Sequence, residues 1–239
     1  MSSARKASPT IVLLHGSGDD AHVWDALVAC LPQYTAIALD LPGHGSLTSR
    51  PGPAIMSVDD YAGAVRAEMA RRAIEHVCLV GHSLGSAIAL RMAVDYPALV
   101  SRLLLVGGGA RLRVLPALLA EAKATPDSAK WQLVEMAFAP AHQQQAREFF
   151  EQRTPTAPGM LHRDLAACDA FDMMSELGHI AQPTLVVTGE EDRLTPPKYA
   201  RFLAEHLDNA RLVLIPNAGH YAQIEAPEAI AEAMRDWLG

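Results

Sequence analysis

Six short stretches of the chain are apolar throughout, and a Gly, Pro or Asp follows each within two residues. Continuous hydrophobicity, in place of alternation, is what a parallel strand covered on both faces requires. We therefore predict six strands, at residues 10–14, 35–39, 77–80, 102–106, 184–188 and 212–215.

Helical patterns lie between these runs. Asp20 precedes residues 21–31, and Ser57 precedes 58–72 with two acids in the first turn, where the helix dipole favours them. A third pattern covers 84–96 and a fourth covers 226–238. Strand and helix in alternation predict an α/β fold, with a mostly parallel sheet and helices on both faces.

Residues 111–178 break this rhythm because they contain no strand-like run. Helical patterns cover 115–124, 130–138 and 143–152, and they are punctuated by Pro140, Pro155, Pro158 and Gly159. We predict a helical cap insertion over one edge of the sheet, with residues 1–110 and 179–239 forming the core. The alternative is a lengthened crossover that only packs.

Composition and charge narrow the class of protein. The chain has 239 residues, half of them apolar, and a formal net charge of −7. This charge argues against nucleic acid or an anionic membrane surface as a partner, since both require a basic face. The polar first residues and the three cysteines without a CxxC pair predict a cytoplasmic protein. No metal-ligand spacing appears, so we expect neither metal nor cofactor.

The strongest chemical signal is Gly81-His82-Ser83-Leu84-Gly85, which directly follows one predicted strand and precedes a helix. A serine at the tip of such a turn has its hydroxyl pushed out of the sheet, and flanking glycines avoid collisions with neighbouring elements. Ser83 is therefore the candidate nucleophile. The alternative is a plain glycine-rich turn.

A serine nucleophile needs a base that a third group holds in place. Among ten histidines, His220 lies in a loop after the last predicted strand, at the sheet edge where sites in such folds collect. The orienting acid should come from another strand end, and Glu190, Glu191 and Asp192 follow the fifth run. Spacing alone does not choose among these three acids.

Taken together, these motifs resemble the α/β-hydrolase superfamily along nearly the whole chain. The resemblance is carried by residues 15–18, 40–45, 81–85, 189–192 and 219–220. It implies that Asp192 completes a triad with Ser83 and His220, and that the N–H groups of Ser17 and Leu84 form the oxyanion hole. Gly18 is an alternative to Ser17. Fewer residues precede the first strand than the family's opening hairpin needs, so we expect a sheet shortened at its N-terminal edge.

The resemblance implies a serine hydrolase, with a carboxylesterase acting on a small or medium apolar ester as the first expectation. The alternatives are a lactonase, a thioesterase, a carbon–carbon bond hydrolase, a perhydrolase, a triad-dependent lyase and a non-catalytic ligand receptor. The expected partner is a small ester-like molecule.

Several bulky apolar residues of the insertion could form either a substrate pocket or ordinary core: Trp131, Phe138, Phe149, Phe150, Phe171, Met173 and Met174. Arg111 and Arg113 follow the fourth predicted strand. They are expected to be solvated, or else to reach a substrate carboxylate at the mouth of the site.

Overall fold

The structure, a computed structural model, describes residues 9–48, 57–151 and 157–239. Its centre is a sheet of six parallel strands. These are β1 (Ile11–Leu14), β2 (Ala36–Leu39), β3 (Val77–His82), β4 (Val100–Val106), β5 (Thr184–Gly189) and β6 (Ala210–Ile215). All six predicted strands are confirmed, with ends that differ by one or two residues.

The strand order is β2-β1-β3-β4-β5-β6. The chain moves outward from β1 to β2, returns past β1 to β3 and then continues in the opposite direction. The order therefore reverses between β1 and β3, and ligands of such sheets bind beside the carboxyl ends of the strands at this point. Ser17 follows β1 and Ser83 follows β3 at this edge.

The described part of the chain has ten α-helices. They are α1 (Asp25–Ala29), α2 (Val58–Arg71), α3 (Leu84–Asp95), α4 (Pro116–Ala124), α5 (Pro126–Ala137), α6 (Gln143–Glu151), α7 (Met160–Ala170), α8 (Pro197–His206), α9 (Ala222–Glu225) and α10 (Pro227–Leu238). Ser57 begins α2 with a reciprocal capping box to Asp60. Asp20 instead caps a 3₁₀ turn, Ala21–Trp24, which precedes the short α1.

Two apolar layers cover the sheet because successive strand residues point to opposite faces. Val12 and Leu14 pack in the layer that α2, α3 and α8 complete. Ile11 and Leu13 pack in the layer on the other face, with side chains of α1 and α10. The continuous apolar runs thus reflect burial on both faces, as predicted.

The predicted shortening of the sheet concerns its N-terminal edge. β2 is an edge strand, and the described residues place no strand beyond it. Residues 1–8 precede β1 and lie outside the described part.

Between β4 and β5 the chain forms α4, α5, α6 and α7, which occupy the predicted insertion at 111–178. Helix α7 was not among the predicted patterns, and Pro155 and Gln152 lie outside the described residues. Part of this segment has its own small apolar cluster, which includes Leu118, Ala129 and Leu165. The carboxyl half of α5 and residues after α7 pack onto the two layers of the core. None of the described helices is long and apolar enough to cross a membrane.

Candidate active site

Ser83 occupies the tight turn between β3 and α3. Its backbone has φ +51° and ψ −112°, a conformation that costs a non-glycine residue about 1–3 kcal/mol and is found mainly at functional sites. The flanking glycines permit the turn because a Cβ on Gly81 would lie 2.2 Å from the Gly85 carbonyl oxygen. A Cβ on Gly85 would lie 2.2 Å from the carbonyl oxygen of Leu14 on β1.

Local hydrogen bonds hold this turn. The N–H of Ser83 donates to the carbonyl of Val106 at 3.0 Å, and the Ser86 hydroxyl donates to the carbonyl of Ser83 at 2.6 Å. Strand β4 and helix α3 thereby hold Ser83 in a strained backbone conformation.

His220 lies at the carboxyl edge of the sheet, in the loop between β6 and α9. Its Nδ1 is 2.8 Å from Asp192 Oδ2, and both side chains are buried. An ionised carboxylate only accepts hydrogen bonds, so Nδ1 carries the proton and Nε2 is left as the acceptor. This is the tautomer that a general base toward a serine hydroxyl requires.

The structure separates the three consecutive acids. Asp192 is 3% exposed, whereas Glu190 and Glu191 both lie on the surface. The N–H groups of Leu194 and Thr195 donate to Asp192 Oδ1 at 2.9 and 2.8 Å. It is therefore the Asp192 carboxylate that the fold brings to His220.

Thr195 is a neighbour of this pair that sequence reasoning missed. Its hydroxyl oxygen lies 2.9 Å from Asp192 Oδ2, 3.1 Å from His220 Nδ1 and 2.8 Å from the carbonyl oxygen of Gly107. The only available signal was its place three residues after Asp192, and spacing of that kind has no specific meaning in a loop.

The charge around His220 favours its protonated form. Burial alone lowers the pKa of this imidazole, but the charge and hydrogen bond of Asp192, with smaller contributions from Asp19 and Glu225, outweigh burial and raise the pKa above its usual 6.5. The imidazolium that would form during proton transfer is thus stabilised.

The loop of His220 is also tied to the end of α5. The His220 N–H donates to the Ala137 carbonyl at 2.6 Å. The buried Glu225 carboxylate accepts hydrogen bonds from the N–H groups of Gly219 and Ala139, each at 2.9 Å. Burial raises the pKa of Glu225 despite these bonds. The residue after Asp192 also contacts this segment, because the Arg193 guanidinium donates to the Phe138 carbonyl at 3.1 Å.

Two backbone N–H groups near Ser83 are candidate oxyanion donors. Leu84 is the first residue of α3, so its N–H has no partner inside the helix. The Ser17 N–H has no protein acceptor among the residues that the structure describes. The alternative donor, Gly18, is occupied because its N–H donates to Asp164 Oδ2 at 2.8 Å.

Ser83 and His220 line one cavity of about 680 Å³, which Ser17 also borders. Its walls are largely apolar and come from the 111–178 segment: Leu118, Trp131, Leu133, Val134, Phe150, Leu161 and Leu165. Lys130, Arg193 and Lys198 also border it. The volume lies within the range of small-molecule sites.

The bulky residues of the insertion divide between cavity and core. Trp131 and Phe150 line the cavity, and Phe150 is also part of one core layer. Phe138, Phe171 and Met173 belong instead to the two core layers, and Met174 is 41% exposed. Periodicity could not separate these groups because both a pocket wall and a core use apolar residues at helical spacing.

Arg111 and Arg113 both lie near Asp172, with closest N–O distances of 3.6 and 3.8 Å. Arg113 also donates to the carbonyl of Asp169. Arg113 borders the cavity, whereas Arg111 is not among the residues that line it. Their carboxylate partner thus comes from the chain itself. Within residues 9–48, 57–151 and 157–239, no cluster of three or more His, Cys, Asp or Glu side chains is arranged to hold a metal ion.

Comparison with known proteins shows the family to which the chain belongs. A family model described as "Alpha/beta hydrolase family" matches residues 11–233. A pimeloyl-[acyl-carrier protein] methyl ester esterase of Neisseria meningitidis serogroup C is 31% identical over 258 aligned positions, which cover 98% of this chain and 96% of that protein.

Two solved structures are similar over nearly the whole chain. A thermophilic esterase has 37% sequence identity and a TM-score of 0.80, with 98% of this chain and 90% of that chain covered. A hydrolase from Pseudomonas aeruginosa PA01 has 25% identity and a TM-score of 0.86, with 100% and 92% covered. The sheet order, the motifs that carry the resemblance and these matches show that the chain belongs to the alpha/beta hydrolase family.

Proposed function

We propose that this chain hydrolyses a carboxylic ester through an acyl-enzyme formed on Ser83. The observation that carries the proposal is the cavity that Ser83 shares with His220, whose Nδ1 is bonded to the buried carboxylate of Asp192. The similarity to named esterases supports ester hydrolysis as the class of reaction.

In the proposed mechanism, Ser83 Oγ attacks the ester carbonyl carbon while its proton passes to His220 Nε2. The oxyanion of the tetrahedral intermediate accepts hydrogen bonds from the N–H groups of Ser17 and Leu84, each worth about 3 kcal/mol in such sites. The intermediate collapses, and the alcohol leaves with the proton from His220. Water then attacks the acyl group, gives its proton to His220 and releases the acid, which restores Ser83.

We also propose that residues 111–178 act as a cap over a core made of 1–110 and 179–239. Support comes from the cavity walls, because α4, α5, α6 and α7 all contribute apolar side chains to the space that contains Ser83. A cap with these walls suits an apolar acyl or alcohol group of small or medium size.

Turnover of a short-chain p-nitrophenyl ester tests the proposal. The wild-type protein should hydrolyse it, and Ser83→Ala should reduce turnover to the background rate while keeping the same melting temperature. Ser175→Ala is the control, since it makes the same change at an exposed serine that does not border the cavity. Retained turnover in Ser83→Ala would contradict the mechanism.

A substrate panel separates ester hydrolysis from the other reactions that suit this fold. It should contain alkyl esters, lactones and acyl thioesters, with a pimeloyl methyl ester included because relatives are named for one. Faster turnover of a lactone or thioester than of every ester would assign the chain to that class. Ligand-induced stabilisation without any turnover would indicate a receptor.

A further inference from the structure

A buried carboxylate outside the proposed triad contacts the loop of Ser17. Asp164 is carried by α7 and is fully buried. Its Oδ2 accepts hydrogen bonds from the Gly18 N–H at 2.8 Å and from His44 Nε2 at 2.9 Å. Its Oδ1 accepts a short hydrogen bond from the Tyr61 hydroxyl. One side chain of the insertion thus joins three separate parts of the core.

The contacts of His44 favour its protonated form. Nε2 faces the Asp164 carboxylate, and Nδ1 faces the carbonyl oxygen of Pro42 at 3.2 Å. Acceptors face both ring nitrogens, an arrangement that favours the protonated form of His44. Burial lowers its pKa, but the charge and hydrogen bond of Asp164 outweigh burial and raise it.

The neighbouring His15 has the opposite assignment. Its Nε2 accepts the Leu41 N–H at 2.9 Å and its Nδ1 donates to the Gly16 carbonyl at 2.8 Å. Burial and the nearby charge of His44 lower the pKa of His15 to about 3, so this ring is neutral. The two rings thus differ in the groups that face them, since His15 has one donor and one acceptor whereas His44 has two acceptors.

Helix α7 also packs closely on the same loop. A Cβ on Gly18 would lie 3.0 Å from Leu161 Cδ1, and the backbone of Gly18 has φ +70°. The Ser17 hydroxyl lies 3.6 Å from Cys168 Sγ. Leu161, Asp164 and Cys168 are three and four residues apart, so they share one face of α7, and that face covers the loop.

We propose that Asp164 is a positioning residue for the oxyanion hole. By binding the Gly18 N–H, it fixes the direction of the loop and leaves the Ser17 N–H as the donor that faces the cavity. The proposal rests on the proposed function of Ser83. In this proposal the core and the cap both form the oxyanion hole, since a carboxylate of α7 orients the Ser17 N–H.

An oxyanion donor acts on the tetrahedral intermediate and hardly on the bound ester, so its misplacement lowers kcat with little change in KM. For Asp164→Asn, we expect kcat to fall by about 10- to 100-fold, which is less than the loss of a whole donor, and KM to change by less than about threefold. Affinity for a trifluoromethyl ketone, which becomes tetrahedral on Ser83, should fall by the same factor as kcat/KM.

Asp169→Asn is the matched control. It makes the same chemical change on the same helix, but Asp169 accepts its hydrogen bond from the Val114 N–H, away from the Ser17 loop. Active sites are titrated with a fluorophosphonate, so that unfolded protein does not count as a loss of kcat. Equal kcat and equal ketone affinity in the two variants would overturn the proposal.

Tyr61→Phe provides a test if Asp164→Asn does not fold. It removes one donor to Oδ1 and keeps both contacts of Oδ2, so we expect kcat and ketone affinity to fall together by about two- to fivefold. A lower melting temperature with unchanged kcat would contradict the inference.

The Ser83→Ala variant distinguishes failure of the proposed function from failure of the inference about Asp164. If it remains active, the proposed function and this inference both fail; if it is inactive while Asp164→Asn matches its control, only the inference fails.

Discussion

At the residue scale, the three consecutive acids after β5 differ in what surrounds them. Asp192 is buried and receives the Nδ1–H of His220, whereas the neighbouring glutamates are exposed. We expect Asp192→Asn to lower turnover by about 10³- to 10⁴-fold, because the amide can hold the ring in the wrong tautomer. Steady-state kinetics on one p-nitrophenyl ester measures the loss.

Glu190→Gln and Glu191→Gln are the controls for this experiment, since each makes the same change on an exposed neighbour. Both should keep kcat/KM within about twofold of wild type, as is usual for solvated side chains. A crippled glutamine variant beside an active Asp192→Asn would show that the acid is wrongly assigned.

The raised pKa of His220 predicts the pH dependence of the reaction. A general base must be neutral, so kcat/KM should fall with decreasing pH as the free enzyme takes up a proton at His220. Because the Asp192 charge raises this pKa above 6.5, the midpoint of the acid limb should lie above 6.5. Rates measured from pH 5 to pH 9 test this. A midpoint below 6.5, or a flat profile, would contradict the expectation.

The sequence predicts those candidate site residues whose signal lies in neighbouring positions of the chain. Ser83 could be predicted because its glycines and its place between strand and helix are adjacent in the chain. Thr195 and Asp164 could not be predicted, because their hydrogen-bond partners, such as Gly107 and Gly18, lie far away in sequence. A buried polar residue leaves no periodic signal, and inside an amphipathic helix it resembles a solvent-facing one.

At the scale of elements, α5 and α6 provide side chains to the cavity, whereas the residues after α7 pack on the core. We expect Trp131→Ala to change the preferred acyl chain length, because Trp131 lines the cavity and is only partly buried. Phe171→Ala and Met173→Ala should instead lower the free energy of unfolding by about 2–5 kcal/mol, as truncations in a core do.

A series of p-nitrophenyl esters from acetate to decanoate measures the first effect, and urea unfolding measures the second. Leu115→Ala serves as an exposed control on stability, since Leu115 is 64% exposed. If the Trp131 variant lost stability without any change in chain-length profile, the insertion would be packing rather than a wall of the site.

Helix α7 shows why element prediction was incomplete. It begins directly after Gly159 and carries the polar run His162-Arg163-Asp164, so its amphipathic pattern is weak. Its buried Asp164 is satisfied by the core, which is a tertiary effect that local sequence does not encode. The insertion as a whole was predictable only because it lacked strands.

At the scale of the whole molecule, the sheet was the most predictable feature. A parallel strand buried on both faces must be apolar throughout, and six such runs with helices between them allow few topologies. The position of the insertion was harder to predict. It depends on contacts such as those of Glu225 with the N–H groups of Ala139 and Gly219, which join two segments far apart in the chain.

The central claim is that Ser83 is a nucleophile activated by this fold, and covalent labelling tests it most directly. The folded protein is treated with a fluorophosphonate, and intact mass and peptide mapping are recorded beside Ser83→Ala. We predict one adduct per chain, on the peptide that contains Ser83, and none on Ser83→Ala. An adduct on another residue, or no adduct on correctly folded wild-type protein, would contradict the account.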